Sequence, residues 1–93
     1  MLTHGQIVEA VTGVKDRFAL TKASYFGSYA SGKATDESDL DVLVEFATPY
    51  VSILRIIDLK NHLEDALNVP VDVIHAPVPK DAVIEIEEQV RIV

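Results

Sequence analysis

The chain contains no cysteine and no tryptophan among its 93 residues. Without cysteine there can be no disulfide, no thiolate nucleophile and no zinc–thiolate site. No apolar run approaches the length that a bilayer-spanning helix needs. The N-terminus also lacks a basic region followed by a long apolar stretch, so the sequence indicates no signal peptide. Together these absences predict a cytoplasmic protein with no membrane segment.

Basic residues are also scarce. Eight Lys and Arg stand against fifteen Asp and Glu, which leaves a formal charge of −7 with the histidines neutral. Proteins that hold nucleic acid gain much of their affinity from Lys and Arg on phosphates. We therefore expect no direct nucleic-acid binding, while a small molecule or a protein stays open as the binding partner.

The hydrophobic content predicts one domain over residues 1–93. Hydrophobic residues make up 48% of the chain and aromatic residues only 6%, so the core is expected to be aliphatic. Thr3 and Gln6 have the spacing of a capping box at the start of a helix. The pattern predicts helices over 3–19, 53–68 and 81–90, a single helical turn over 29–31, and strands over 22–26, 40–46 and 71–74. For residues 91–93 the sequence leaves both the end of the last helix and an edge strand open.

The most informative segment runs from Gly27 to Val44 and reads GSYASGKATDESDLDVLV. Side chains alternate along a strand, so Asp39 and Asp41 face the same way while Leu40 faces the other. Two neighbouring carboxylates repel each other unless a positive charge lies between them. Oxygen ligands of this kind suit Mg²⁺ or Mn²⁺, and a Gly-Ser loop offers backbone N–H groups to phosphate. The segment therefore predicts metal-assisted phosphoryl chemistry.

This segment also resembles a known signature. Gly27-Ser28, a spacer and then Asp39-Leu40-Asp41 is similar to the motif of the DNA polymerase β-like nucleotidyltransferase superfamily. The size of the chain resembles the minimal nucleotidyltransferases, the antitoxin half of MNT–HEPN toxin–antitoxin pairs. The resemblance implies an α+β fold in which helices pack against a small mixed sheet.

The order of the predicted elements agrees with that fold. A long helix between the second and third strands is the crossover that parallel neighbours require. Gly27-Ser28 and Asp39 can meet only if the first two strands are antiparallel. The start of the third strand then lies at the same end of the sheet as Asp39, which brings Asp72 there as well. Asp72 is either a third carboxylate of the site, as the resemblance implies, or an ordinary residue on an exposed strand face.

The resemblance implies roles for five residues and leaves that of a sixth, Lys33, open. Asp39, Asp41 and Asp72 would hold two Mg²⁺ ions, and Asp72 would help to activate the attacking hydroxyl. Gly27 and Ser28 would contact the phosphates of ATP. Many similar proteins carry Arg where Ser31 stands; Lys33 is either a replacement for that charge or a solvated loop lysine.

The implied activity is transfer of AMP from ATP to a tyrosine hydroxyl of a partner HEPN toxin within a hetero-oligomer, which silences the toxin. This expectation fits the absence, in 93 residues, of a second domain for an acceptor. Two alternatives stay open. One is an antitoxin that blocks a HEPN partner sterically without catalysis. The other is the nucleotidyltransferase subunit of a small-molecule adenylyltransferase of the antibiotic-modifying type.

Overall fold

The computed structural model describes residues 2–48, 50–75 and 89–93. Its elements, in chain order, are α1 (His4–Lys15), β1 (Leu20–Phe26), α2 (Ser28–Ser31), β2 (Leu40–Phe46), α3 (Ile53–Leu67), β3 (Val71–His75) and β4 (Gln89–Arg91). The predicted bounds of the second strand are confirmed, and those of the second long helix agree within one residue.

Helix α1 begins as predicted and ends earlier. The Thr3 hydroxyl accepts the Gln6 N–H, and the Gln6 side chain accepts the Thr3 N–H, which completes the capping box. The prediction of a helix as far as residue 19 is wrong, because α1 ends at Lys15. Ala19 has a φ of 54°, in the left-handed region that no α-helix continues through. The chain reverses there and enters β1 at Leu20, two residues before the predicted start.

Four strands form one mixed sheet in the order β3-β2-β1-β4. Strands β1 and β2 are antiparallel, β2 and β3 are parallel, and β4 is antiparallel to β1. The first two relations confirm the predicted topology. They place the end of β1 and the starts of β2 and β3 at one end of the sheet.

One face of the sheet carries the core. Along β2 the residues Leu40, Val42 and Val44 are 0%, 0% and 1% exposed, and they pack in one cluster with residues of α1 and α3. The alternate residues Asp41, Leu43 and Glu45 are half-buried on the opposite face. The alternation follows from the two-residue repeat of a strand and fixes the side on which each acid of β2 stands.

The C-terminal end corrects one prediction. Of the helix predicted over 81–90, residues 81–88 lie outside the described residues. Gln89 and Val90 belong to strand β4, so a helix that reaches Val90 is wrong. Their pairing with Phe26 and Tyr25 explains the difference, because residues 89–91 complete the backbone hydrogen bonds of the free edge of β1. Within the described part of the chain, the helices are too short or too polar to cross a bilayer.

Candidate functional site

Asp41 lies between two cross-strand neighbours. In the β1–β2 register it stands opposite Phe26, whose side chain is 7% exposed, and in the β2–β3 register it stands opposite Asp72. Side chains at paired positions share a face of the sheet and lie side by side. Asp41 therefore has an apolar ring on one flank and a second acid on the other.

The environment of Asp41 raises the pKa of its carboxyl. Burial raises the pKa of the Asp41 carboxyl, and the charges of Asp72 and Asp39 raise it further, as does a hydrogen bond between the Asp41 and Asp72 side chains. Burial is the larger cause of the raised pKa and like charge the next. A cation bound beside these acids would relieve the repulsion between them.

Asp39 directly precedes strand β2 and is exposed. Its charge is one of the causes that raise the pKa of Asp41, so the two acids sense each other electrostatically. The Leu40 N–H donates to the Pro70 carbonyl at 3.0 Å, which ties the start of β2 to the residue before β3. This bond helps to fix the three acids at one end of the sheet.

Gly27 approaches Asp41 from the end of β1. Its φ of 71° lies in the left-handed region that favours glycine. A Cβ built at this position would lie 2.5 Å from Asp41 Oδ2, closer than any side chain tolerates. The backbone conformation therefore favours glycine, and a larger residue would also have to displace the Asp41 carboxyl.

The turn after Gly27 is the predicted helical turn, extended by one residue to include Ser28. The N–H groups of Ala30 and Ser31 donate to the Gly27 carbonyl at 3.1 and 3.0 Å, which closes the turn. Ser28 is half-buried next to Gly27, and its carbonyl accepts the Lys33 N–H at 2.9 Å. The structure brings Gly27 to Asp41, with Ser28 next along the turn, whereas it leaves the Lys33 side chain exposed.

The loop between the turn and β2 is held by its own side chains. The Ser38 hydroxyl accepts the Thr35 N–H at 2.8 Å, and the Ser38 N–H donates to the Thr35 carbonyl at 3.1 Å. Ser38 thus orders the approach to Asp39. Sequence reasoning did not single out Phe26; the antiparallel pairing of strands that meet at Gly27 and Asp39 is the signal that could have placed it beside Asp41.

The donor set suits a hard divalent cation, because carboxylate oxygens are the ligands that Mg²⁺ prefers. After burial, the charges of Asp72 and Asp39 are the next causes that raise the pKa of Asp41, and a cation would relieve that repulsion. Within residues 2–48, 50–75 and 89–93, however, no three His, Asp or Glu side chains are already arranged as a metal-ligand group. The acids fit the ion in chemistry and placement, and their side chains would have to adjust in order to bind it.

Comparisons with known proteins agree on one family. The family model for the nucleotidyltransferase domain matches residues 7–93. The protein adenylyltransferase MntA of Thermococcus cleftensis is 36% identical over 78 residues, which covers 80% of this chain and 78% of that protein.

Two solved structures share the fold. A toxin–antitoxin structure with AMP-PNP superposes with a TM-score of 0.80 at 21% identity, over 99% of this chain and 73% of that one. A complex of the tri-AMPylated HEPN toxin of Shewanella oneidensis with an MNT antitoxin gives a TM-score of 0.74 at 17% identity, over 99% and 72%.

Proposed function

We propose that this chain, which belongs to the nucleotidyltransferase domain family, transfers AMP from ATP to a tyrosine hydroxyl of a partner HEPN toxin and so acts as its antitoxin. The observation that carries the proposal is the convergence of Gly27, Asp41 and Asp72 at one end of the sheet. The similarity to a protein adenylyltransferase supports AMP as the transferred group. Toxin–antitoxin complexes with the same fold support a HEPN protein as acceptor.

In this proposal Gly27 and Ser28 bind the phosphates of ATP. The missing Cβ of Gly27 lets the turn lie against Asp41, next to which the phosphates would be held, and Ser28 adds a hydroxyl and an N–H donor. Lys33 contributes a positive charge from the loop that follows. Its exposed side chain is free to swing toward a triphosphate, and its backbone is already held at Ser28.

Asp39, Asp41 and Asp72 would hold two Mg²⁺ ions, in line with the excess negative charge around Asp41. When bound, such ions neutralise the charge that builds on the entering and leaving oxygens of phosphoryl transfer. The acids of this chain set where the triphosphate lies relative to the acceptor. Asp41 is central because Asp39 and Asp72 both act on its carboxyl.

The transfer itself is a displacement at the α-phosphorus. The tyrosine oxygen forms a bond to the α-phosphorus, and the bond from that phosphorus to the α–β bridging oxygen breaks, which releases pyrophosphate. The tyrosine proton passes to Asp72, which is exposed and is the acid of the three that stands on β3, at the edge of the sheet that the described residues form. The same proposal assigns residues 1–93 to one catalytic domain that works in the cytoplasm, where ATP is present, without contacting nucleic acid.

One observation favours a second candidate function, a HEPN-binding antitoxin without catalysis. Ser31 stands where many similar proteins carry Arg, and its hydroxyl donates to the Ser28 carbonyl at 3.3 Å. The position therefore supplies a contact within the turn instead of a cation for the triphosphate. If Lys33 does not replace that charge, nucleotide binding is weakened. The antitoxin that blocks its HEPN partner sterically is then the better-supported function.

The proposal is tested by incubation of the protein and a co-expressed HEPN partner with Mg²⁺ and ATP labelled at the α or the γ position. We expect label from the α position alone, on a tyrosine of the partner, and none with Asp39→Asn. A stable complex without label would replace the proposal with the binding antitoxin. Label on a soluble metabolite instead of the partner would favour the small-molecule adenylyltransferase.

A further inference from the structure

The first residue of β3 has a backbone N–H that the sheet does not satisfy. Val71 is paired with Leu40 in the parallel β2–β3 register, and the Leu40 N–H bonds to the Pro70 carbonyl. In a parallel ladder of this register, β2 bonds to the residues on either side of Val71, so the N–H of Val71 itself points away from β2. Because β3 lies at the edge of the sheet formed by the described residues, the Val71 N–H points out of that sheet, although Val71 is only 1% exposed.

Glu64 of α3 supplies the missing acceptor. Its Oε2 accepts the Val71 N–H at 2.9 Å, in a partly buried contact across seven residues of chain. Lys60 Nζ lies 3.6 Å from the same Oε2, one helical turn earlier, and holds the carboxylate in place. The end of the helix is thereby joined to the start of the strand that carries Asp72.

The backbone of Glu64 fixes the other end of the same connection. Its carbonyl accepts the Asn68 N–H at 2.7 Å, where Asn68 caps α3 with a φ of 57° and a ψ of 37°. Glu64 thus holds both ends of the three-residue connection between α3 and β3. Its main-chain carbonyl binds Asn68, the first residue of the connection, and its side chain binds Val71, the residue that follows the connection. The connection has little freedom to shift along the strand direction.

We infer that Glu64 is a positioning residue that sets the position of Asp72 along the strand direction, opposite Asp41. The inference rests on the proposed function, in which Asp72 takes part in transfer. Asp72 directly follows Val71, and its place opposite Asp41 depends on where β3 begins. A displacement of about 1 Å in a reacting constellation is enough to cost as much as about 100-fold in rate. Glu64 therefore acts on the reaction without touching the substrate.

Three variants separate this role from general stability. Glu64→Ala removes the acceptor, Glu64→Gln keeps an oxygen acceptor while it removes the charge, and Asp65→Ala changes an exposed acid at the next position of the same helix. Each is measured at a temperature at which all three are folded, for kcat, for KM of ATP and for hydrogen exchange of the Val71 amide. Asp72→Asn is measured in parallel.

We expect Glu64→Ala to lower kcat by about 10-fold, the lower end of the cost of losing a supporting hydrogen bond, with KM for ATP within about twofold. Exchange of the Val71 amide should accelerate in the same variant. Glu64→Gln and Asp65→Ala should keep both kcat and the exchange rate close to those of the unchanged protein. Recovery with Gln would identify the hydrogen bond, and not the charge, as the cause.

Two results would overturn the role of Glu64 and leave the proposed function intact. The first is an unchanged kcat for Glu64→Ala while Asp72→Asn is inactive. The second is an equal loss of kcat for Glu64→Ala and Glu64→Gln. An Asp72→Asn variant with full activity would instead remove the proposed role of Asp72, and the inference with it.

Discussion

Strand β2 carries two charged cross-strand pairs on the same face, and they are opposite in kind. Glu45 stands opposite Lys22 of β1 with 4.0 Å between Oε2 and Nζ, and the two side chains are 47% and 64% exposed. Asp41 stands opposite Asp72 of β3, and the pKa of Asp41 is raised. Opposite charges at paired positions stabilise a sheet modestly, whereas like charges destabilise it. A pair of opposite charges on this face therefore needs no further explanation. A pair of like charges indicates a ligand that neutralises them.

The sharpest test of this contrast is Asp41→Asn. We expect kcat for AMP transfer to fall by about 10³-fold, the upper range for the loss of an electrostatic stabiliser, while the free energy of unfolding is unchanged or higher because a repulsion is removed. Transfer assays and thermal unfolding measure the two effects. The matched control is Glu45→Gln, which should leave transfer unchanged. Transfer at the normal rate by Asp41→Asn would show that this pair is only a structural irregularity.

The next largest effect is expected at Gly27, compared with Gly32. Gly32, with φ 79° and ψ 13°, is in the αL region, where alanine should cost about 1–2 kcal/mol of folding free energy. Gly27, with φ 71° and ψ −145°, is in a region that is essentially restricted to glycine, where the cost should be about 1–3 kcal/mol. Only at Gly27 does the new Cβ meet Asp41, whereas nothing lies within 4 Å of one at Gly32. Gly27→Ala should therefore also lower transfer by about 100-fold by displacing the carboxylate, and Gly32→Ala should not. Equal losses of transfer in both variants would contradict the account.

The pH dependence of stability provides a smaller effect with a defined sign. Because the pKa of Asp41 is raised above its ordinary value of 3.8, the folded protein binds that proton more tightly than the unfolded chain does. The resulting stabilisation is present below that value and is lost as the pH rises through the raised pKa. Without divalent cations, Asp41→Asn should gain stability relative to the unchanged protein as the pH rises from acid toward neutral. Thermal unfolding across that range measures this change in stability, and an unchanged difference would show that folding does not raise the pKa of Asp41.

The opposite-charge pair should give the smallest effect. Lys22→Ala should change the free energy of unfolding by no more than about 1 kcal/mol, because both partners are solvated. Transfer should be unaffected, since Lys22 lies toward the far end of β1 from Gly27. A large loss of transfer in Lys22→Ala would mean that the two pairs belong to one site.

Much of this arrangement can be read from the sequence. The bounds of β2 follow from the apolar run after Asp39, and the antiparallel β1 and β2 follow from the need for Gly27 to meet Asp39. The capping box predicted the start of α1. Each of these depends on local pattern or chain connectivity, which a single sequence records.

The remainder depends on contacts between elements. Phe26 flanks Asp41 only because of the β1–β2 register, and Glu64 reaches Val71 only because of the short turn after α3. The left-handed conformation of Ala19, directly before β1, has no signature in an alanine. Residues 89–91 form strand β4 because the edge of β1 offers backbone hydrogen-bond partners. Their local sequence would fit the end of a helix equally well.

The central claim is that the Asp41–Asp72 pair is held together in order to bind a cation with the nucleotide. Calorimetric titration of Mn²⁺, with a non-hydrolysable ATP analogue present, tests it directly on the unchanged protein, Asp41→Asn and Glu45→Gln. The account predicts that binding is preserved in Glu45→Gln and at least about 10-fold weaker in Asp41→Asn, as for loss of a charged ligand. Equal Mn²⁺ affinity in all three proteins would contradict it.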